Sequence, residues 1–199
     1  MKDWDKAQKG YMYDANNDRE IVSARTKRAD LCYKFNDCKP SNIKKQNKLL
    51  RKILGEIKGK ITVTAPFYCD YGKNVSVGDK FYANHNVTIL DGAKVTFGDN
   101  VFIAPNCIFS TAGHAIDPKQ RNAGLEIAFP ITVKNNVWIG ANVTVLPGVT
   151  IGNNTVIGAG SVVNKDIPDG VVAVGNPCKV IRTITEDDKK KYPVWSENK

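Results

Sequence analysis

From Val133 to Pro168 the apolar and polar positions of the chain repeat every six residues. Read in sixes the stretch is VKNNVW, IGANVT, VLPGVT, IGNNTV, IGAGSV, VNKDIP. The first place of each hexad is β-branched: Val133, Ile139, Val145, Ile151, Ile157 and Val163. The fifth holds Val137, Val143, Val149, Thr155, Ser161 and Ile167, all small or β-branched. The places between are rich in Gly, Asn, Asp and Pro, which turn a chain rather than extend it. A helix would need apolar residues at a period near 3.6, and a lone amphipathic strand would alternate strictly. A period of six with a turn in every unit fits neither. It predicts a chain coiled as a triangular prism, one short strand per side, with the first place of each hexad pointing inward. Stacked coils would lie ~4.8 Å apart and hydrogen-bond along parallel strands.

The same period runs upstream in weaker form. Val77, Ala83 and Ile89 are six apart, as are Phe97, Ile103 and Phe109. Phe97 follows Ile89 by eight places instead of six, so LDGAKVT must bulge by two. From Ser110 to Pro130 the repeat breaks completely, and a loop of that length in a repeat protein is commonly functional. Residues 1–59 instead read as a helical cap. Asp14, Asn16, Asn17 and Asp18 mark a turn between a short first helix and a second running to about Phe35. Ser41, after Pro40, is placed to N-cap a third helix, with Leu49, Leu50, Ile53, Leu54 and Ile57 on one face and lysines on the other. Such a cap would hide the open end of the prism and its unpaired strand edges. The β pattern is expected over 60–182, with the excursion at 110–130, and a charged tail over 183–199 with a short helix and loose ends.

Composition narrows the function classes. The opening MKDWDKAQKG has no apolar run after its charges, as a secretory leader would, and no apolar stretch approaches the ~20 residues of a membrane span. The five cysteines, Cys32, Cys38, Cys69, Cys107 and Cys178, show no CxxC spacing and read as reduced thiols of a cytoplasmic protein. The formal net charge is +9. Its Lys and Arg are dispersed, whereas a nucleic-acid binder would usually concentrate them with aromatics on one face; a polyanionic small ligand suits the charge equally, and composition alone does not decide. Only two histidines are present, His85 and His114. A histidine-ligated zinc site on such a scaffold would take three imidazoles, so no metal is expected. His85 lies in a repeat turn. His114 lies in the excursion, where a rigid scaffold presents functional groups, and is the candidate general base.

Several motifs together carry a family resemblance. They are T-A-G-H-x-x-D-P at Thr111–Pro118, F-P-I-T-V-x-N-N-V-W-I-G at Phe129–Gly140, P-G-V-T-I-G at Pro147–Gly152 and V-G-N-P-C-K-V-I-R at Val174–Arg182. With the hexads and the N-terminal Y-K-F-N-x-x-x-P-S at Tyr33–Ser41, they resemble the galactoside/maltose O-acetyltransferases among the hexapeptide-repeat acyltransferases. The resemblance covers nearly the whole chain. It implies a mainly β fold, a left-handed parallel β-helix with a helical N-terminal cap, and a homotrimer with active sites between subunits. It also implies acetyl transfer from acetyl-CoA to a sugar hydroxyl, with no nucleic-acid or membrane partner.

The resemblance further assigns roles. His114 matches the catalytic histidine, and Asn84 an asparagine near the acetyl and acceptor groups, although Asn84 also reads as a plain turn residue of ANHNVT. Trp138 would wall the site or merely cover the outside of the prism. Ala141, Gly158 and Ala159 resemble the pantetheine track. Only the backbone N–H of Ala141 could serve the oxyanion, because some members carry a serine there. Lys179 and Arg182 resemble the basic pair that meets the phosphates of CoA, against a reading as solvated cations. Acceptor recognition resembles Asp14, Arg25, Asp70 and Asp91. Here the chain departs from the galactoside pattern, with Asp70 in place of a serine and Gly92 in place of a second acid after Asp91. A xenobiotic acetyltransferase and a non-catalytic β-helix scaffold remain as alternatives. The G-H-x-x-D-P loop and the helical N-terminus speak against the former, and the scaffold would have no need of the Lys179/Arg182 pair.

Overall fold

A computed structural model describes residues 1–192 and 195. Three parallel sheets form the sides of a prism. One side stacks Phe67–Cys69, Val87–Leu90, Ile108–Ser110, Thr144–Val145 and Val162–Val163. A second stacks Glu56–Ile57, Val75–Val77, Val95–Phe97, Ile131–Val133 and Thr150–Ile151. The third runs from Ile61–Val63 through Phe81–Ala83, Phe102–Ile103, Trp138–Ile139 and Val156–Ile157 to Val171–Val174, closed by the antiparallel strand Lys179–Thr183. This is the parallel β-helix that the hexads and the resemblance imply. Every first and fifth hexad residue from Val133 to Ile167 is buried. Phe81, Phe97 and Phe109 stack through the centre with ring centroids 5.1 and 5.0 Å apart. All three rings are buried and pack edge-on or tilted against one another along the axis of the prism.

The corners are built from side chains that bond the next coil. Oδ1 of Asp79, Asp99, Asn135, Asn153 and Asp169 accepts in turn the backbone N–H of Lys60, Asp79, Asp99, Asn135 and Asn153, over 2.7–3.1 Å. The close approach requires glycine beside the rungs: a Cβ on Gly98 would lie 2.3 Å from Asn135 Oδ1. One residue on, the backbone turns left-handed at Lys80, Asn100, Asn136 and Asn154, with φ between 53° and 57°. Asparagine tolerates that region better than other side chains carrying a Cβ.

The cap comprises α1 (Asp3–Gln8), α2 (Arg19–Asn36) and α3 (Ile43–Ile53). Three expectations change here. The N-cap of α3 is Asn42, whose Oδ1 accepts the Lys45 N–H at 3.1 Å, and Ser41 lies outside the helix. Leu54 is the C-cap, and Ile57 belongs to the first coil rather than to the helix face. The β-helix therefore starts at Glu56, before Lys60, because Gly55 carries the chain straight from helix to coil. Its N–H bonds Gly72 O and Val75 O, and a Cβ there would meet Lys73 O.

The excursion is ordered rather than a bare loop. Ala112–His114 and Leu125–Ala128 pair as an antiparallel hairpin around α4 (Pro118–Asn122), and Tyr13–Asp14 adds a third strand. The predicted bulge is the enlarged corner at Asp91–Lys94. Gln8 Nε2 reaches Gly92 O there at 2.8 Å, and the Tyr13 hydroxyl leaves no room for a Cβ on Gly92. The tail begins with a short 3-10 turn, Glu186–Lys190, in place of an α-helix; the loose ends expected beyond it fall largely outside the described residues. No helix among the described residues is long and apolar enough to cross a membrane.

Candidate active site

His114 ends the first strand of the hairpin. Its base is fixed by the buried Thr111, whose hydroxyl donates to Leu90 O at 2.7 Å and accepts the Ala93 N–H at 3.0 Å. Beyond His114, Asp117 caps α4 by accepting the Gln120 N–H, and Arg121 Nη1 donates to the carbonyls of Ala115 and Ile116. The loop is thus folded around its own backbone before any ligand arrives. The imidazole rims a cavity of about 460 Å³ lined by Arg25, Asp70, Leu90, Ala112, Gly113, His114 and Glu126.

The cavity is acidic on two sides. Asp70 follows the strand Phe67–Cys69. Burial pushes its carboxyl above the usual carboxylate range although Arg25 draws it down, and among the described residues no hydrogen bond to that carboxyl forms. Glu126 stands opposite His114 in the antiparallel pair. Its carboxylate accepts from the Tyr13 hydroxyl at 3.2 Å and from Asn16 Nδ2 at 3.4 Å. Burial pushes the Tyr13 phenol far above its ordinary range, so it acts as a fixed donor. Arg25 Nη2 donates to Asn16 Oδ1 at 3.5 Å. Glu126 and Tyr13 did not figure among the sequence candidates. The signal was the antiparallel pairing of LEIA with AGH, which a six-residue period cannot reveal.

Two acceptor candidates stand elsewhere. Asp14 spends one carboxylate oxygen on the backbone N–H groups of Asn16 and Asn17, closing the turn before α2. Asp91 is fully buried and lies outside the cavity. It accepts the backbone N–H groups of Tyr71 at 2.8 Å and Asn74 at 3.3 Å, and its carbonyl accepts from Asn74 Nδ2. Burial raises its pKa to about 6, against the pull of those N–H groups. Asp91 holds the Asp70–Tyr71–Gly72 corner from beneath.

Asn84 and Trp138 line a different cavity, of about 390 Å³, with Tyr82, Phe102, Ile103 and Ala104 on the third side of the prism. A single chain does not bring them to His114. Ala141 and Ala159 follow one another up the next corner, where the Gly160 N–H bonds Ala141 O and a Cβ on Gly140 would lie 2.6 Å from Ala159 N. Gly158 packs on Val174, which a Cβ would strike at 2.8 Å. These residues leave a smooth path along the coils. Lys179 is exposed at its upper end. Arg182 is engaged: its guanidinium grips Asp188 in two hydrogen bonds of 2.7 and 2.8 Å, which holds that carboxyl down at about 2. No cluster of metal-ligating side chains occurs among the described residues.

Comparison with known proteins gives this arrangement a context. The model of the maltose acetyltransferase hexapeptide capping motif matches residues 6–59, and that of the bacterial transferase hexapeptide, six repeats, matches 130–165. The galactoside O-acetyltransferase of Escherichia coli strain K12 is 48% identical over 172 residues, 86% of this chain and 85% of that protein. The chain belongs to the galactoside/maltose O-acetyltransferase family. It is an acyltransferase. Among solved members, a galactoside acetyltransferase in complex with coenzyme A superposes with a TM-score of 0.93 at 43% identity, covering 98% of this chain and all of that one. A maltose O-acetyltransferase from Clostridium difficile 630 superposes with a TM-score of 0.90 at 45% identity, covering 94% of this chain and 99% of that one. The family's capping motif runs from the end of α1 through α2 and α3 into the first coil.

Proposed function

We propose that the protein moves the acetyl group of acetyl-CoA to a hydroxyl of a sugar, with His114 as general base. The observation that carries this reading is the cavity in which His114 meets Asp70, Arg25 and Glu126. A base there stands beside carboxylates and a guanidinium suited to hydrogen-bonding a polyol. Acetyl-CoA supplies the activated acetyl group. The imidazole takes the sugar hydroxyl proton as that oxygen attacks the thioester carbonyl, and returns it to the leaving thiolate. The Ala141 N–H is the proposed donor to the developing oxyanion, a role typically worth about 10²–10³ in rate. The small residues Ala141, Gly158 and Ala159 suit the pantetheine arm, and Lys179 suits a CoA phosphate. Arg182, whose guanidinium is held by Asp188, has donors left over to join it.

The site is proposed to lie between subunits of a homotrimer. Asn84 and Trp138 stand in one cavity and His114 in another, so a neighbouring chain is needed to unite them. Large apolar side chains face outward on two sides of the prism: Phe102 is 49% and Trp138 56% exposed on one, Tyr68 49% on the other. Apolar rows of that kind mark surfaces that partners cover. The direct test follows thiol release from acetyl-CoA with a panel of glucosides, galactosides and maltose. Acetylation of at least one sugar hydroxyl, located by NMR of the product, is the expected result. Acetyl-CoA turnover with no member of the panel would contradict the reading.

A further inference from the structure

This inference rests on the sugar-acetylating reading and concerns the class of sugar. We infer that the His114 cavity selects cationic acceptors, amino sugars carrying a protonated amine, over neutral sugars, and rejects anionic ones.

The argument starts from the balance of charge around the space. Two carboxylates, Asp70 and Glu126, and one guanidinium, Arg25, line it beside the imidazole of His114. The chain as a whole carries +9, so this is an acidic pocket in a basic molecule. The two acids are not equivalent. Glu126 already accepts from Tyr13 and Asn16. The Asp70 carboxyl has neither a hydrogen-bond donor nor an ion pair among the described residues, and it is partly stripped of water. The nearby acids Asp3, Asp14 and Asp91 all hold donors of their own. Arg25, the cation of the lining, donates to Asn16 Oδ1; its charge acts on Asp70, but no hydrogen bond joins the two among the described residues.

An acid with lost solvation and no donor gains most from a ligand that brings both a donor and a positive charge. A sugar hydroxyl brings the first only; an ammonium group brings both. A carboxylate, phosphate or sulfate on the acceptor would meet Asp70 and Glu126 across a poorly solvated space, with Arg25 alone to offset them. The other titratable groups facing the space are His114 and, from behind, Tyr13 and Tyr71. Burial holds both phenols above their ordinary range, so neither adds charge at neutral pH.

The test compares acceptors that differ at one carbon: glucosamine, glucose and N-sulfoglucosamine, with galactosamine and galactose as a second pair. Each is assayed for kcat/KM by thiol release and for binding by saturation-transfer NMR. At least one amino sugar should exceed its neutral parent by about tenfold, the size expected of one partly solvated charge pair. The N-sulfo sugar should fall below glucose. The preference should shrink with added salt, and vanish as pH rises through the ammonium pKa near ~8. In Asp70→Asn the ratio of amino to neutral sugar should drop to within about twofold, whatever the variant does to absolute rate. Glu126→Gln should lower the ratio by less. A neutral sugar turned over as well as both amino sugars overturns this inference and leaves the acetyltransferase reading standing. Preferential binding of an amino sugar with no acetyl moved does the reverse. If no sugar binds or reacts, both fall.

Discussion

At the scale of the residue, the corners show how much a backbone angle dictates. The column of left-handed residues reads Lys80, Asn100, Asn136, Asn154 and then Gly170. Lys80 is the one long side chain in it, held at a φ of 54° that disfavours a Cβ. Asn100 and Asn136 each donate through Nδ2 to the carboxamide of the coil above, at 3.1 and 2.9 Å, whereas among the described residues Lys80 makes no such bond. Lys80→Asn should relieve the angle and extend the ladder by one bond, stabilising the protein by about 1 kcal/mol. A rise in the urea midpoint checks this; a fall would mean that Lys80 makes compensating contacts. Asn153 illustrates the converse. It stands at an outer turn, as its place in the hexad predicts, yet its side chain bonds both Asn135 and Asp169.

At the scale of the element, what the sequence made legible follows from what is periodic. Inward residues recurring every six places define the coils from Val133 onward, because only a closed three-sided turn returns each to the same axis. The helical cap was legible from its turn residues and from the apolar face of α3. The end of α2 and the start of α3 fall within a residue of the reading, whereas the apolar face reads on to Ile57 and α3 stops at Ile53. The hairpin that carries His114 was not legible. Its strands are three and four residues long, the second of them pairs with a strand from residues 13–14, and Glu126 comes opposite His114 only through that register. The placements of Asp14 and Asp91 against their own backbone have the same origin. Each is an acid at a turn, and whether it faces a ligand or its own backbone depends on tertiary placement that a motif does not specify.

Thr111 tests whether the hairpin must be held. Its hydroxyl both donates to Leu90 and accepts from Ala93, while its shape resembles valine. Thr111→Val keeps the packing and leaves the buried Ala93 N–H without its acceptor, while Leu90 O retains the Thr111 backbone N–H, at a cost of about 1–3 kcal/mol in stability. Turnover should fall while the KM for acetyl-CoA stays near its original value, since the corner of Ala141 and Ala159 is separate. A change confined to the KM for acetyl-CoA would mean that the hairpin does not position the base.

At the scale of the molecule, a single chain divides what the proposed chemistry must join. The acceptor cavity with His114 and the cavity with Asn84 and Trp138 open separately, and the apolar rows around Phe102 and Tyr68 face outward. Association through those rows would cover them and bring one chain's base toward a neighbour's thioester path. Light scattering at micromolar concentration should therefore give about three times the chain mass of 21.9 kDa. A strict monomer with full activity would show that one chain holds a complete site.

The central claim is that His114 is the base, and replacing it is the most direct measurement. General-base assistance typically contributes about 10²–10⁴-fold, so His114→Ala should lower kcat by roughly that factor with the best sugar acceptor. The imidazole is exposed on a hairpin fixed by Thr111 and Arg121, so the fold and the affinity for CoA should remain. His85, in a repeat turn against Ala65, is the control, and His85→Ala should keep most of the activity. Near-normal turnover by His114→Ala, in a variant that still folds and binds CoA, would contradict the assignment.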